Sequence, residues 1–273
     1  MTDLPAHELP DDDAVSLTVS GRWAHFRNIE GTLHRTYRMF PRTTIAGFLA
    51  AIVGRGRDEY YDIFQPDRTR ISVTLDDYDG TYRMSRLHLG TRNSSDEKEL
   101  TLSETDDPAA KALTETVGGL PNTKAIYGNR QRPVIHMVRN PTYTIDVIFD
   151  RDDDRASAFR EDLVKHLSNE TSIYTPYLGT AECLAHISYN GEKPVQRLTD
   201  DAPVIESALP LSAVNPAESG SFTVEKHPYN MVRVANGRRL DGTISIGFNA
   251  DESLVATESC GFDVGGDRTV AFY

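Results

Sequence analysis

The residues best suited to chemistry lie between Gly21 and Gly54. The run Gly21-Arg-Trp-Ala-His-Phe-Arg-Asn28 gathers the only tryptophan, a phenylalanine, a histidine and two arginines just beyond a strand pattern. Rings of this kind stack on unpaired bases while arginines hold phosphates. The same residues also suit a core, with Trp23 and Phe26 filling the space under the loop and the arginines solvated. Spacing alone does not separate the two readings.

The next run, Thr36-Tyr-Arg-Met-Phe-Pro-Arg-Thr-Thr-Ile-Ala-Gly-Phe-Leu-Ala-Ala-Ile-Val-Gly54, narrows the chemistry. Arg42, Thr43 and Thr44 stand at a helix start, where free N–H groups and the dipole favour a phosphate. A plain cap by Thr43 or Thr44 is the alternative. Gly47 inside the helix costs about 1 kcal/mol relative to alanine, which argues for a close backbone approach there. No metal or cofactor chemistry competes. The eight histidines show no ligand pairing, Cys183 and Cys260 form no Cys-x-x-Cys, and the clusters Asp11–Asp13 and Asp152–Asp154 fall in a leader and at a helix start.

Elements must position these residues, and hydrophobic periodicity supplies them. Val15, Leu17 and Val19 alternate in a first strand over 14–20, followed by a helix over 43–54 with Ile45, Phe48, Leu49 and Ile52 on one face. Ile71, Val73 and Leu75 mark a second strand, and Tyr143, Ile145, Val147 and Phe149 a third. A second helix opens at Asp152–Asp154, carries Ala156, Phe159, Leu163 and Leu167 on one face, and ends at Lys165-His166. Residues 181–189 supply a fourth strand. This order predicts an α+β, ferredoxin-like (RRM-like) βαββαβ domain over 14–190. Residues 1–13 read as a disordered acidic leader, and 76–141 as a long insertion, a basic hairpin with a polar middle from Ser94 to Asp107. Residues 191–273 read as a small β-rich region with turn signals at Asn190-Gly191, Asn236-Gly237 and Asp241-Gly242.

Composition tempers a nucleic-acid reading, because the net charge is −12. The distribution matters more: 25 aspartates and 16 glutamates face 23 arginines but only 6 lysines, the imbalance of a halophilic source. Concentrated salt screens like charges within about 3 Å at 1 M and also weakens phosphate binding, so RNA contact there depends on stacking and bidentate arginines. No membrane-length apolar run and no signal peptide is present, and two distant cysteines predict reduced thiols in a soluble, cytoplasmic protein.

At this point a resemblance emerges. The pattern Trp-x-x-Phe-Arg, Thr-Tyr, Pro-x-Thr-x-x-Gly-Phe-Leu-Ala-Ala-Ile-Val-Gly, and later Tyr174-x-Pro-Tyr-Leu-Gly-Thr-Ala-Glu182, resembles the fifth family of CRISPR-associated proteins, within the RAMP superfamily of ferredoxin-like RNA-binding domains. The likeness spans residues 15–188 and is nearest to type I-B, haloarchaeal members. It implies a subunit of the Cascade interference complex in antiviral defence, one that binds the 5′ handle of the crRNA, caps the backbone filament and abuts the large subunit. Through the complex it would approach target DNA near the PAM-proximal end. The insertion 76–141 would be the family's thumb. The implied handle site comprises Trp23, His25, Phe26, Arg27, Tyr37, Arg42 and Thr43, with Arg83, Arg86, Arg130 and Arg132 from the thumb.

One branch of that family is a metal-independent endoribonuclease for pre-crRNA, using a tyrosine in the Thr-Tyr run and a Lys-His pair at the start of the second helix. Tyr37 matches the tyrosine. Asp154-Arg155 occupies the place of the pair, and an aspartate would repel the phosphate it should stabilise. Lys165-His166 falls three turns later and suits the helix dipole. The expectation is a non-catalytic, RNA-gripping subunit, with His25 as the one residue able to serve as a base in a different arrangement.

Overall fold

The computed structural model describes residues 13–28, 34–85, 88–89, 116–117, 120–121, 130–131, 133–235, 237–257 and 260–273. The proposed leader, the polar middle of the insertion, Arg86 and Arg132 lie outside the described residues. By contact the chain forms two units: Met1–Gly31, Arg35–Tyr82 and Met137–Tyr273 make the first, Thr32–His34 and Arg83–His136 the second.

The first unit is built on four antiparallel strands: β1 (Ala14–Ser20), β5 (Thr69–Asp77), β8 (Thr142–Phe149) and β9 (His186–Lys193). Their order is β9-β1-β8-β5, that is fourth, first, third, second. Register explains the two faces. Leu17 pairs with Ile145 and Ile145 with Val73; Val15 pairs with Val147 and Val147 with Ile71. These residues share one wholly buried apolar face. On it lie α1 (Arg42–Val53), which buries Ile45, Phe48, Leu49 and Ile52, and α2 (Asp154–Ser168), which buries Ala156, Phe159, Leu163 and Leu167. Phe159 meets Phe149 at 5.6 Å and Phe64 at 5.3 Å between ring centroids, which ties helix to sheet.

Helix ends differ in how the sequence fixes them. Asp153 caps α2 as its pattern foretells, its carboxylate accepting from the N–H groups of Arg155 and Ala156 at 3.0 and 2.9 Å. At α1 neither threonine caps; Pro41 stands at the start, and its carbonyl accepts from Thr44 and Ile45. Gly54 ends α1 with φ +79°, a conformation that glycine adopts freely. Gly47 makes room for the Tyr60 hydroxyl, which would lie 3.0 Å from an added Cβ. The fourth strand starts five residues later than the expected 181, because 178–183 close a turn: Leu178 N donates to Cys183 O at 2.7 Å.

The other face of the sheet is polar. Ser16 opposes Asp146, which opposes Ser72, and Thr18 opposes Thr144, which opposes Thr74. The C-terminal strands cover part of it. Strands β10 (Val195–Arg197), β13 (Phe262–Val264) and β14 (Arg268–Val270) form a small sheet, and Arg268 Nη2 lies 2.6 Å from the fully buried Asp146 carboxylate. Val264, Val270 and Phe272 pack on Ala14 and Ile148 beside it. The longest strands, β11 (Thr223–Val234) and β12 (Gly237–Phe248), form a hairpin that runs against α1.

Within the insertion, β6 (Thr81–Ser85) leaves the first unit and β7 (Val134–Arg139) returns to it. In the second unit, Arg130 and Gln131 pair antiparallel with Leu89 and His88. The backbone of Arg130 is therefore in a strand.

Candidate nucleic-acid interface

The aromatic loop splits into two short strands. In β2 (Trp23–Ala24), Trp23 pairs with Arg139 and Ala24 with Val138 of β7; in β3 (Phe26–Arg27), Phe26 pairs with Tyr37 and Arg27 with Thr36 of β4 (Thr36–Tyr37). Thr36 Oγ1 accepts from Phe26 N at 2.9 Å. This pairing sends side chains in different directions. Trp23 stays half-buried and Arg27 exposed, while Ala24, His25 and Phe26 are buried. Phe26 stacks on Phe40 with centroids 4.5 Å apart and meets Tyr143 edge-on, so it belongs to the core and not to a base-stacking surface.

The two parts of the sequence motif touch here. His25 N donates to Leu178 O at 3.0 Å, and an added Cβ on Gly179, whose φ is +89°, would lie 2.1 Å from His25 O. Only glycine lets these backbones approach so closely.

Tyr37 and Arg42 are corrected as well. The Tyr37 ring is buried against His227, centroids 4.3 Å apart. His227 Nε2 is 2.9 Å from a Glu225 carboxylate oxygen, and the same carboxylate accepts from the N–H groups of Arg38 and Met39 at 3.0 and 3.3 Å. Glu225 thereby fixes the chain entering α1. Arg42, expected at a phosphate, is 2% exposed and points inward: Nη1 donates to Tyr273 O at 2.8 Å, and Nη2 to Phe64 O and Thr69 O at 3.0 and 2.7 Å. Burial brings its guanidinium down to about 10, against the opposing effect of Tyr229 and Tyr273. Its role is to satisfy three carbonyls of segments far apart in sequence. Thr43, the next residue, is half-buried.

What remains at the surface forms a different cluster. Trp23 meets Tyr82 edge to face, centroids 6.0 Å apart at 79°. The Arg139 guanidinium lies 5.4 Å from the Tyr82 centroid, and its Nε is 3.5 Å from Asp79. Tyr82 is 41% exposed. Asn140, at φ +46°, donates to the same Asp79 carboxylate at 2.6 Å and shapes the turn into β8. Arg22 is exposed beside Trp23 in the chain. Arg83 is exposed and belongs to the second unit. Sequence reasoning missed Tyr82, although its aromatic type beside Arg83 is a signal, and gave Arg139 no place in the site.

Of the residues weighed for RNA cleavage, Tyr37 and His25 are buried, Asp154 and Arg155 are exposed at the start of α2, and Arg155 pairs with Asp62 at 3.4 Å. Lys165 and His166 occupy the last turn of α2. No helix among the described residues is long and apolar enough to cross a membrane.

No family model matches the chain, and no curated protein matches it. Among solved structures, it is similar to one described as a CRISPR RNA-guided surveillance complex, with 13% identity, 89% of this chain and 91% of that chain covered, and a TM-score of 0.47. It is also similar to a type III-B Cmr-β complex bound to cognate target RNA and AMPPnP, with 12% identity, 89% and 86% covered and a TM-score of 0.43. A third, described as a Cas protein, has 14% identity, 92% and 94% covered and a TM-score of 0.38.

Proposed function

We propose that this chain is a non-catalytic, crRNA-binding subunit of a type I CRISPR interference complex, gripping the 5′ handle and contacting the backbone and large subunits. The observation that carries this reading is the surface cluster of Trp23, Tyr82 and Arg139, assembled where the insertion leaves and rejoins the sheet. Two half-exposed rings set edge to face offer a base a stacking platform, and an adjacent guanidinium offers a phosphate a donor. The motif resemblance supplies the RNA's identity. Stacking tolerates salt that would weaken phosphate contacts, which suits a chain of this composition.

The placement of the cleavage residues supports gripping without cutting. A general base must reach the 2′-hydroxyl, and a cation must meet the developing charge. Tyr37 is enclosed by His227, and Asp154 brings negative charge to the start of α2. Purified protein incubated with repeat RNA in high salt and chelator is expected to leave the RNA intact. Specific cleavage at the repeat that disappears in Tyr37→Phe or His25→Ala would overturn the non-catalytic assignment.

A further inference from the structure

The hairpin of β11 and β12 carries an electrostatic conflict that folding alone does not explain. Its register places Arg233 directly opposite Arg238, and Arg239 opposite Val232. All three arginines are exposed, and Val234 beside them is 37% exposed. Like charges directly opposed on an antiparallel pair destabilise it. Arg57, exposed in the loop after α1, adds a fourth cation: it and Arg238 both act on the Tyr60 hydroxyl.

Little negative charge answers these four. Arg238 Nη1 is 3.8 Å from Asp58, at the long end of an ion pair. Arg57, Arg233 and Arg239 have no carboxylate within 4.0 Å among the described residues. Glu59 nearby is engaged with Gly56 N at 2.8 Å. In a chain of net charge −12, three exposed arginines without a carboxylate partner among the described residues run against composition.

We infer that this patch binds the phosphodiester backbone of a nucleic acid, at a site separate from the Trp23–Tyr82 cluster. The arginines are spread over two strands and a loop and do not converge on one pocket, so they suit charges repeated along a chain better than a single small anion. Side chains alternate along a strand, so Arg238 and Arg239 leave the ribbon on opposite faces and can engage phosphates on either side of it. Guanidinium groups suit phosphate through their forked donors.

The test compares the full-length protein with Arg233→Gln/Arg239→Gln, using fluorescence anisotropy against labelled duplex DNA, single-stranded DNA and single-stranded RNA over a salt series. The double variant is expected to bind at least one of these probes on the order of 50-fold more weakly at 0.1 M salt. Its log–log salt slope should be shallower by about 1.8 for a duplex or about 1.4 for a single strand. Removing Arg233 from its place opposite Arg238 should leave Tm unchanged or raise it. The probe that loses affinity identifies the ligand. A Trp23→Ala/Tyr82→Ala control should keep the salt slope of this site, so failure here is distinguishable from failure of the handle site. Unchanged affinity and slope for all three probes would overturn the inference.

Discussion

Trp23 and Tyr82 hold each other edge to face at 6.0 Å between strands β2 and β6, with both rings reaching the surface. The contact is a consequence of register. Trp23 is opposite Arg139 on β7, and Arg139 in turn bonds back to the turn before Tyr82, donating to Gly80 O at 3.1 Å. One short strand therefore positions both the ring pair and the cation above it. The neighbouring Phe26 is drawn into the Phe40–Tyr143 core and anchors the loop from below.

Arg42→Ala should damage the fold and not the RNA site specifically. The variant leaves the carbonyls of Phe64, Thr69 and Tyr273 without their donor, and each buried unsatisfied group costs about 1–3 kcal/mol. A stability loss of about 3 kcal/mol or more in urea denaturation is expected. A wild-type midpoint would contradict the buried role.

Gly179→Ala should be similarly costly. The glycine has φ +89°, and a Cβ there would collide with His25 O at 2.1 Å. Positive φ alone costs about 1–2 kcal/mol for an alanine, and the clash adds a backbone shift that would loosen β2 and β3 together. Thermal denaturation checks this, with a lowered Tm expected. Gly266→Ala, also at positive φ but with open space around its Cβ position, should lose only the smaller part.

Alkaline pH should destabilise the protein through its buried phenols. Tyr61 is pushed up to about 12, first by burial and then by its hydrogen bond to Asp58; burial raises Tyr143 and Tyr273 as well. Between about 10 and 12 the unfolded chain has released these protons and the folded chain has kept them, so stability falls as pH rises. Arg42 acts with the opposite sign: its folded value, about 10, lies below the unfolded one, and its contribution rises with pH over that window. Three phenols outweigh one guanidinium. Denaturation midpoints should drop above pH 10, and Tyr61→Phe should flatten that drop.

The sheet and α2 were legible because period-two alternation and an Asp cap are local signals, and both appear as read at Val15–Val19, Ile71–Leu75, Tyr143–Phe149 and Asp153. The alternate positions were not. Ser16, Ser72 and Asp146 alternate with the apolar positions and carry no local sign of burial, yet all three are buried, and Asp146 meets Arg268, far along the chain. A polar residue facing water and one facing a distant partner look alike in sequence. Arg42 failed for the same reason: a cation at a helix start suggests phosphate until three remote carbonyls are known. Trp23 and Arg27 lie at the surface, while Tyr82, an aromatic next to the insertion's arginines, is brought to Trp23 only by strand pairing.

The central claim is tested most directly by the amount of guide RNA retained in the purified assembled complex carrying Trp23→Ala/Tyr82→Ala. Loss of one stacked base costs about 1–3 kcal/mol, so handle binding should weaken about 5- to 150-fold and guide RNA should be depleted, while the subunit's urea midpoint stays near wild type. Full guide occupancy in that variant would contradict the account.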